Sequence, residues 1–278
     1  MMNHWNREKV VELLEQSGRI AMEYKTKMAP EMKSDNSIVT QADKAIERFL
    51  DEAFTDEANN VYVIGEESLD SCSLNKALSN TAFIIDPIDG TAVYAAGLPM
   101  WGISIGYAVK GKFTESAIYL PETEELMITE SGKTYLRCGN GNDFVELKPF
   151  RKSYMEAGAV YVTQTLAKRG LFSGAELLHS IGSCVYPGVY LAKQLYQAGV
   201  YFAKIWDVAG LLPALKNLGF HSVSEDGSDL MSLEISPEIY NMESSSKKFL
   251  SMKTLHVISS TEEICKQIAA KISFPDHP

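Results

Sequence analysis

The chain has 278 residues, of which 45% are apolar, and a formal net charge of −10 at pH 7. This apolar fraction can build the core of one large domain or two smaller ones, whereas the negative charge argues against a nucleic-acid polymer as a partner. No apolar run reaches the roughly 18 residues that cross a bilayer, and no apolar signal segment is visible at the N-terminus. The four scattered cysteines match no zinc or disulfide pattern, so we predict a cytoplasmic protein with no membrane partner.

Two amphipathic helices are predicted near the N-terminus. Asn6 can cap the first, whose apolar side chains recur at helical spacing as far as Tyr24. The second begins after Thr40 and has an apolar face of its own. Thr40 and Asp43 have the spacing of a capping box, with Asp in place of the usual Glu. Asp43 can therefore be a helix-start carboxylate stabilised by the dipole or an acid that orients a water, and the local sequence favours the first.

Acidic residues follow two predicted strands at the point where each strand ends. The β-branched run at 61–64 leads into Gly-Glu-Glu-Ser at 65–68, and the apolar run at 82–85 leads into Asp-Pro-Ile-Asp-Gly-Thr at 86–91. Because proline lacks an N–H and fixes φ, we predict that the second strand stops before Pro87 and that its acids lie on a rigid turn. Two close carboxylates repel unless a cation lies between them or one of them takes up a proton, and oxygen ligands on a turn suit Mg²⁺.

The residues after the second acid suit an anion. Thr91 begins a plausible helix, so the Gly90 and Thr91 amides would point out of a helix N-terminus, where a phosphate can bind. Metal ligands beside an anion site indicate metal-assisted phosphate chemistry. The alternative is an ordinary surface turn, since Asp, Pro and Gly are common turn formers. Glu66 and Glu67 can likewise be solvated loop acids, although their place after a neighbouring strand favours a shared acidic cleft.

The middle of the chain predicts a β-meander over 103–136. A Gly/Asn-rich stretch follows, and we place a domain boundary near residue 145, which divides the chain into 1–145 and 146–278. The second part alternates predicted strands and helices, which is typical of an α/β domain. Its predicted strands are 159–163 and 255–259, and its predicted helices are 191–198, 209–218 and 260–272, the last opened by a capping box from Ser260 to Glu263.

Asp207 lies where a helix is expected to begin, and its simplest interpretation is an N-cap. It is followed by the small residues Ala209 and Gly210, which would let that helix approach other backbone closely.

Three of these motifs, at 65–68, 86–91 and 206–210, occur in an order that resembles the inositol monophosphatase family of metal-dependent phosphatases. Weaker matches support the resemblance, at 37–43, 97–99, 103–106 and 181–184. Three motifs in register make the surface-turn interpretation of 86–91 unattractive. The resemblance implies an α/β (α+β) fold, a five-layer α-β-α-β-α sandwich. It also implies lithium sensitivity and a homodimer.

The resemblance further implies a role for each matching residue. A first Mg²⁺ would be held by Glu66, Asp86 and the Ile88 carbonyl, and a second by Asp86, Asp89 and Asp207, with Glu66 and waters holding a third. Asp43 and Thr91 would orient the attacking water. The residues that would contact the phosphate or the rest of the substrate are Gly90, Thr91, Gly182, Ser183, Cys184 and Lys33.

The alcohol side of the site departs from the family pattern. Ala203 stands where the family often has a substrate-reading acid, and the link to Trp206 is short. We predict that this wall is lined partly by Tyr201, Phe202 and Ile205, which suit a flatter or less hydroxylated leaving group than inositol.

The function predicted from the sequence is Mg²⁺-dependent hydrolysis of a phosphate monoester of a small metabolite by metal-activated water. A 3′(2′),5′-bisphosphate nucleotidase and a sugar bisphosphatase are the alternatives within this class. A non-catalytic metal- or phosphate-binding protein is the alternative outside it. The presence of both Asp43 and Thr91 argues against that last alternative, because binding alone needs neither residue.

Overall fold

The computed structural model describes residues 4–25, 31–32, 38–68, 71–139, 141, 143–149 and 158–274. Lys33 lies outside the described residues, so its predicted contact with the substrate stays a prediction. Within the described ranges the helices are α1 (Arg7–Lys25), α2 (Gln41–Phe54), α3 (Ser71–Ser79), α4 (Thr91–Ala95), α5 (Gln164–Arg169), α6 (Val185–Ala192), α7 (Ile205–Ala209), α8 (Leu212–Asn217) and α9 (Glu262–Ala269). None of these helices combines the length and the apolar character that crossing a membrane requires.

The strands form two large sheets and two small pairs. They are β1 (Glu31–Met32), β2 (Ile38–Val39), β3 (Val61–Gly65), β4 (Thr81–Asp89), β5 (Gly102–Val109), β6 (Lys112–Leu120), β7 (Glu125–Glu130), β8 (Lys133–Cys138), β9 (Val145–Leu147), β10 (Ala159–Val162), β11 (Leu171–Phe172), β12 (Leu177–His179), β13 (Ala198–Tyr201), β14 (His221–Ser224), β15 (His256–Ser259) and β16 (Ile272–Ser273). The described part of the larger sheet has the order β3-β4-β5-β6-β7-β8-β9, and that of the smaller sheet β12-β10-β13-β15-β14.

The two sheets and their helices stack in five layers. Successive side chains of a strand face opposite sides of its sheet. Phe83 and Ile85 therefore pack in the core under α1 and α2, whereas Ala82 and Ile84 pack in the core with α3, α6, α7 and α8. Val160, on the outer side of the smaller sheet, packs in a third core with α5 and α9. This order confirms the predicted α-β-α-β-α sandwich.

The start of α2 confirms the predicted capping box. Thr40 N–H donates to Asp43 Oδ2 at 2.8 Å, and Thr40 Oγ1 in turn accepts from the backbone N–H of Asp43 at 3.4 Å. The predicted cap of α1 is also confirmed, since Asn6 Oδ1 accepts from the backbone N–H of Lys9 at 2.9 Å. These local hydrogen bonds could be predicted from the sequence because donor and acceptor lie within one helical turn.

The prediction that β4 stops before Pro87 is wrong. β4 continues to Asp89, and Asp86 pairs with Ser104 of β5 across a register shift that accommodates the proline. On the other side of β4, pairing with β3 ends at Ile85. No ladder hydrogen bond is therefore required from position 87 on that side. A strand tolerates proline where no backbone N–H is needed. Asp86 and Asp89 project from a bulged strand instead of a free turn.

Three helix predictions in the second half are corrected. Instead of a helix over 191–198, the helix is α6, and the chain turns at Gln194 with φ of 54° before entering β13. The predicted helix over 209–218 is shorter and corresponds to α8, whereas the preceding α7 already ends at Ala209. The last helix is capped by Thr261 instead of Ser260 and ends at Ala269. A left-handed residue that is not glycine leaves little trace in a sequence, so the turn at Gln194 was not foreseen.

The close approach of the helix that follows Asp207 is confirmed. A Cβ added to Gly106 of β5 would lie 2.6 Å from Ala209 Cβ, and one added to Gly210 would lie 2.5 Å from Ser104 Oγ. Gly210 N–H also donates to Ser104 Oγ at 3.1 Å. Because Ser104 pairs with Asp86, this contact places α7 beside the bulged end of β4.

Candidate metal and phosphate site

One cavity of about 430 Å³ lies where β3, β4, α4, α6 and α7 meet. Four carboxylates from three separate sequence segments line it, as predicted: Glu66, Asp86, Asp89 and Asp207. Asp207 is the third residue of α7, not its N-cap, and its Oδ2 accepts from the backbone N–H of Lys204 at 2.8 Å. Carboxylate oxygens of the three aspartates lie within 4.8 Å of one another.

Burial and mutual repulsion destabilise the ionised forms of these aspartates when no cation is bound. Asp86 is only 1% exposed, and its Oδ1 has no hydrogen-bond partner among the described residues. Burial raises the pKa of Asp86 well above its ordinary value, and repulsion from Glu66 and Asp89 raises it further. Burial, with repulsion from Asp89, raises the pKa of Asp207 to about 8. The described residues that line the cavity include no lysine or arginine.

This donor set fits Mg²⁺. Hard oxygen ligands are what the ion prefers, and the unpartnered Asp86 oxygen is the kind of buried acceptor that calls for a cation. The Ile88 carbonyl lies in the same cavity and adds a neutral oxygen. An anionic substrate also needs positive charge here, which the described lining residues do not supply.

Asp89 differs from its neighbours because it is held by the N-terminus of α6. Its carboxylate accepts from the Ser183 hydroxyl, and its Oδ2 also accepts from the backbone N–H groups of Cys184 and Val185, both at 2.8 Å. Burial raises the pKa of Asp89 to about 6, and these hydrogen bonds oppose the rise. Gly182, Ser183 and Cys184 line the cavity, as expected for residues near a substrate. Their hold on Asp89 is a role that the sequence did not reveal.

Thr91 and Asp43 form the predicted pair. Thr91 Oγ1 lies 3.2 Å from Asp43 Oδ1 and 3.0 Å from the carbonyl oxygen of Ile88. The other carboxylate oxygen of Asp43 accepts from the Thr40 hydroxyl at 2.5 Å, which fixes the orientation of the acid. Burial raises the pKa of Asp43, although hydrogen bonds from Thr40 oppose the rise. Asp43 is thus both the helix-start carboxylate and a neighbour of the site, and the two interpretations of it do not exclude each other.

Gly90 allows the sharp change of direction between β4 and α4. Its φ of +90° lies in the left-handed region that glycine adopts without strain. A Cβ at this position would also approach Ser183 Cβ to 3.0 Å. The Gly90 and Thr91 segment therefore lies against the α6 N-terminal loop, at the edge of the acidic cluster.

The predicted composition of the alcohol-side wall is partly wrong. Tyr201 and Ile205 are fully buried in the core and are not among the residues that line the cavity. Phe202 and Ala203 do line it, and a second aromatic ring comes from Tyr161 of β10. Other lining residues, which no sequence pattern singled out, are Thr163, Gln164 and Thr165. They follow a strand whose distance from the cavity could not be read along the chain.

We expect Mg²⁺ to stabilise the protein, and to do so more strongly as pH rises. The raised pKa values mean that the fold favours the protonated acids, so fold stability is lost as ionisation proceeds above the ordinary Asp pKa of about 3.9. This loss is complete only when the pH exceeds the pKa in the folded protein, which is about 6 for Asp89 and about 8 for Asp207. A cation must displace those protons to bind. At 100-fold excess over its dissociation constant the gain is roughly 2.7 kcal/mol.

Thermal melts with and without MgCl₂, from below about pH 6 to above about pH 8, measure this effect. The metal-induced rise in Tm should increase across that range. NaCl at matched ionic strength is the control, because it screens charge without binding at the cluster. An Mg²⁺ effect that is absent, or equal at all pH values, would contradict the assignment.

Comparison with known proteins agrees with this geometry. The model of the inositol monophosphatase family matches residues 6–274. Inositol monophosphatase 3 of Solanum lycopersicum is 29% identical over 230 residues, which are 79% of this chain and 85% of that protein. A histidinol-phosphatase of Chlorobaculum parvum is 30% identical over 124 residues, which are 44% of this chain and 46% of that protein.

The solved structures that resemble this chain include an IMPase/NADP phosphatase complexed with Mg²⁺ and phosphate. The match has a TM-score of 0.73 at 17% identity and covers 98% of this chain and 97% of that chain. At such low identity the likeness establishes the fold alone. The family match, in contrast, spans nearly the whole sequence, and members of this family are Mg²⁺-dependent phosphatases. The chain therefore belongs to the inositol monophosphatase family and is a phosphoric monoester hydrolase.

Proposed function

We propose that the protein hydrolyses a phosphate monoester of a small metabolite with Mg²⁺ at the acidic cluster. One observation carries this proposal: three aspartate carboxylates converge within 4.8 Å of one another, beside the Thr91–Asp43 pair. In this proposal a first Mg²⁺ is held by Glu66, Asp86 and the Ile88 carbonyl. A second is held by Asp86, Asp89 and Asp207, and a third, weaker one by Glu66 with waters.

When bound, Mg²⁺ supplies the positive charge that lets a dianionic phosphate approach these acids and lowers the pKa of water. The protein then has to hold the attacking water in line with the phosphorus atom. The Thr91 hydroxyl has one proton and two acceptors within reach, the Ile88 carbonyl oxygen at 3.0 Å and Asp43 Oδ1 at 3.2 Å. By donating that proton to Asp43 it keeps its lone pairs for a proton of the water. Asp43, oriented by Thr40, serves as the acceptor that makes this arrangement directional.

The Gly90 and Thr91 amides are proposed to donate to the phosphate oxygens. α4 has only five residues, so its dipole is small and direct N–H contacts would carry the interaction. The alternative of a protein that binds metal or phosphate without turnover is not supported by the Thr91–Asp43 contact. That contact orients a hydroxyl, which storage of an ion does not require.

Phosphate release from a panel of phosphate esters, with and without MgCl₂, tests this function. Release is expected only with the metal, and the best ester identifies the substrate class. The Asp207→Asn variant is the control for contaminating phosphatases, because its amide keeps an oxygen that can accept from the Lys204 N–H and removes one carboxylate of the cluster. Equal release by both proteins would count against the proposed site.

A homodimer, lithium inhibition and a cytoplasmic location also belong to the proposal.

The leaving group is proposed to be flatter or less hydroxylated than inositol. Ala203 on the cavity wall offers no carboxylate to accept hydrogen bonds from ring hydroxyls, whereas Phe202 and Tyr161 offer aromatic surface. A nucleoside bisphosphate fits such a wall, and a sugar bisphosphate is the second candidate. The names of the relatives, an inositol monophosphatase, a histidinol-phosphatase and an IMPase/NADP phosphatase, span several leaving groups and are compatible with either.

We expect inositol 1-phosphate to be a poor substrate relative to adenosine 3′,5′-bisphosphate or fructose 1,6-bisphosphate. A buried acceptor discriminates strongly for a hydroxylated substrate, and Ala203 cannot act as one. The kcat/KM values for the three esters measure this, with Phe202→Ala expected to reduce the preference for the nucleotide. If inositol 1-phosphate is best by tenfold or more, about 1.4 kcal/mol in transition-state binding, another residue does the work of the missing acid.

A further inference from the structure

A buried glutamate on α2 contacts the metal-site loop but does not line the cavity. Glu47 is 3% exposed and lies one helical turn after Asp43, so the two acids share a face of the helix. Glu47 Oε2 accepts from the backbone N–H of Glu67 at 2.8 Å. Ser68 contributes further hydrogen bonds to Glu47, from its hydroxyl and its backbone, which oppose the rise that burial causes in the pKa of Glu47.

The same carboxylate also touches the strand on the other side of Glu66. A Cβ added to Gly65 would lie 2.3 to 2.6 Å from the three carboxyl atoms of Glu47, so a side chain at this position would force the carboxylate to move. Glu47 thus packs against the backbone immediately before Glu66 and accepts a hydrogen bond from the backbone immediately after it. Glu66 itself is half-buried and lines the cavity with Asp86.

We propose that Glu47 is a positioning residue that fixes the loop at 65–68 and so places the Glu66 carboxylate for Mg²⁺. This inference rests on the proposed metal site. α2 would then serve the reaction through two acids with different roles, because Asp43 faces Thr91 whereas Glu47 holds the loop that carries Glu66. Outer acids that orient a metal ligand typically change metal affinity by about 10- to 100-fold when they are replaced.

The main test is Glu47→Gln, which keeps the size of the side chain but replaces one carboxylate oxygen by an NH2 group, which cannot accept a hydrogen bond from the loop. The quantity measured is the Mg²⁺ midpoint, which is the Mg²⁺ concentration that gives half of the maximal rise in Tm. This measurement needs no turnover. We expect that concentration to increase about tenfold or more. In activity assays the kcat of the variant should return toward the wild-type value at saturating Mg²⁺.

Glu115 provides a matched control. It is a partly buried glutamate that accepts from the Thr129 hydroxyl at 2.5 Å and from the backbone N–H of Ser131 at 2.9 Å, and so holds a turn in the same way. It does not line the cavity. Glu115→Gln should lower Tm without changing the Mg²⁺ midpoint.

Ser68→Ala, at an exposed residue, is a milder second variant that should move the midpoint in the same direction as Glu47→Gln.

The Glu66→Ala background separates positioning from direct binding. Once Glu66 is absent, Glu47→Gln should have little further effect on the Mg²⁺ midpoint, because both variants remove one interaction. The inference is overturned if Glu47→Gln and Ser68→Ala leave the midpoint within about twofold of wild type, or if the effects of Glu47→Gln and Glu66→Ala simply add. If the inference on Glu47 is overturned but Asp86→Asn weakens Mg²⁺ binding in the same experiments, the proposed function is still supported. If Asp86→Asn and Glu66→Ala both bind Mg²⁺ normally, the metal site and this inference fail together.

Discussion

The Asp86→Asn variant is expected to lose turnover and yet to be more heat-stable than the wild-type protein when no metal is present. Both effects have one cause. Asp86 is the most deeply buried of the clustered acids, and Glu66 and Asp89 repel its charge. A neutral amide removes that repulsion, but it also removes a carboxylate oxygen of a residue that would be needed to hold both proposed ions. We expect kcat/KM to fall by at least about 1,000-fold, roughly 4 kcal/mol.

Melts without metal and kinetics with saturating Mg²⁺ measure the two effects separately. Asp89→Asn is an informative control, because it also removes a carboxylate oxygen of the cluster but one that already accepts from Cys184 and Val185. The NH2 group of an amide there cannot accept from these backbone N–H groups, so this variant should lose turnover without gaining stability. An Asp86→Asn protein that is less stable than wild type without metal would show that the cluster is not strained.

The Thr91→Ala variant is expected to lower kcat by about 100- to 1,000-fold while changing KM and the Mg²⁺ midpoint little. The hydroxyl of Thr91 is proposed to act on the attacking water, which matters in the transition state and not in binding. Its contact with Asp43 Oδ1 at 3.2 Å leaves its lone pairs for that water. Steady-state kinetics at saturating Mg²⁺, with a thermal titration of Mg²⁺, separate the two quantities.

Thr91→Ser retains the hydroxyl and is the matched variant. It should recover most of the lost kcat if the hydroxyl is what matters, because only a methyl group is absent. If Thr91→Ala retains a near-normal kcat, the assignment of Thr91 and Asp43 as the pair that orients water is wrong. If both variants lose activity and also bind Mg²⁺ poorly, the residue supports the shape of the site instead.

The convergence of the acids could be predicted because each of them follows a recognisable local pattern. Glu66 comes after a β-branched run, Asp86 and Asp89 come after an apolar one, and Asp207 opens a helix with small residues. Elements of an α/β fold that end at the same edge bring such residues together. The sequence also contained the capping box that turns Asp43 toward Thr91, because the hydrogen bonds of that box are made within one helical turn.

The contacts that complete the site were not predictable, because their partners are far apart along the chain. Pro87 was expected to end its strand, and only the pairing with β3, which stops at Ile85, explains why it does not. Tyr201 was expected in the cavity wall, but the direction of its side chain depends on the register of β13 with β10 and β15. No sequence pattern indicates the role of Glu47, since a single glutamate in an amphipathic helix normally faces water.

The hydrogen bonds between Asp89 and the start of α6 also have a consequence for folding. They join groups 95 residues apart in the sequence, so a long loop must close before they can form. Contacts of such high sequence separation are slow to form, whereas the hairpins from β5 to β8 are local. Catalytic competence should therefore return in the last phase of refolding, after most of the larger sheet has formed. A chain that has acquired only its secondary structure would hold every ligand residue and still be inactive.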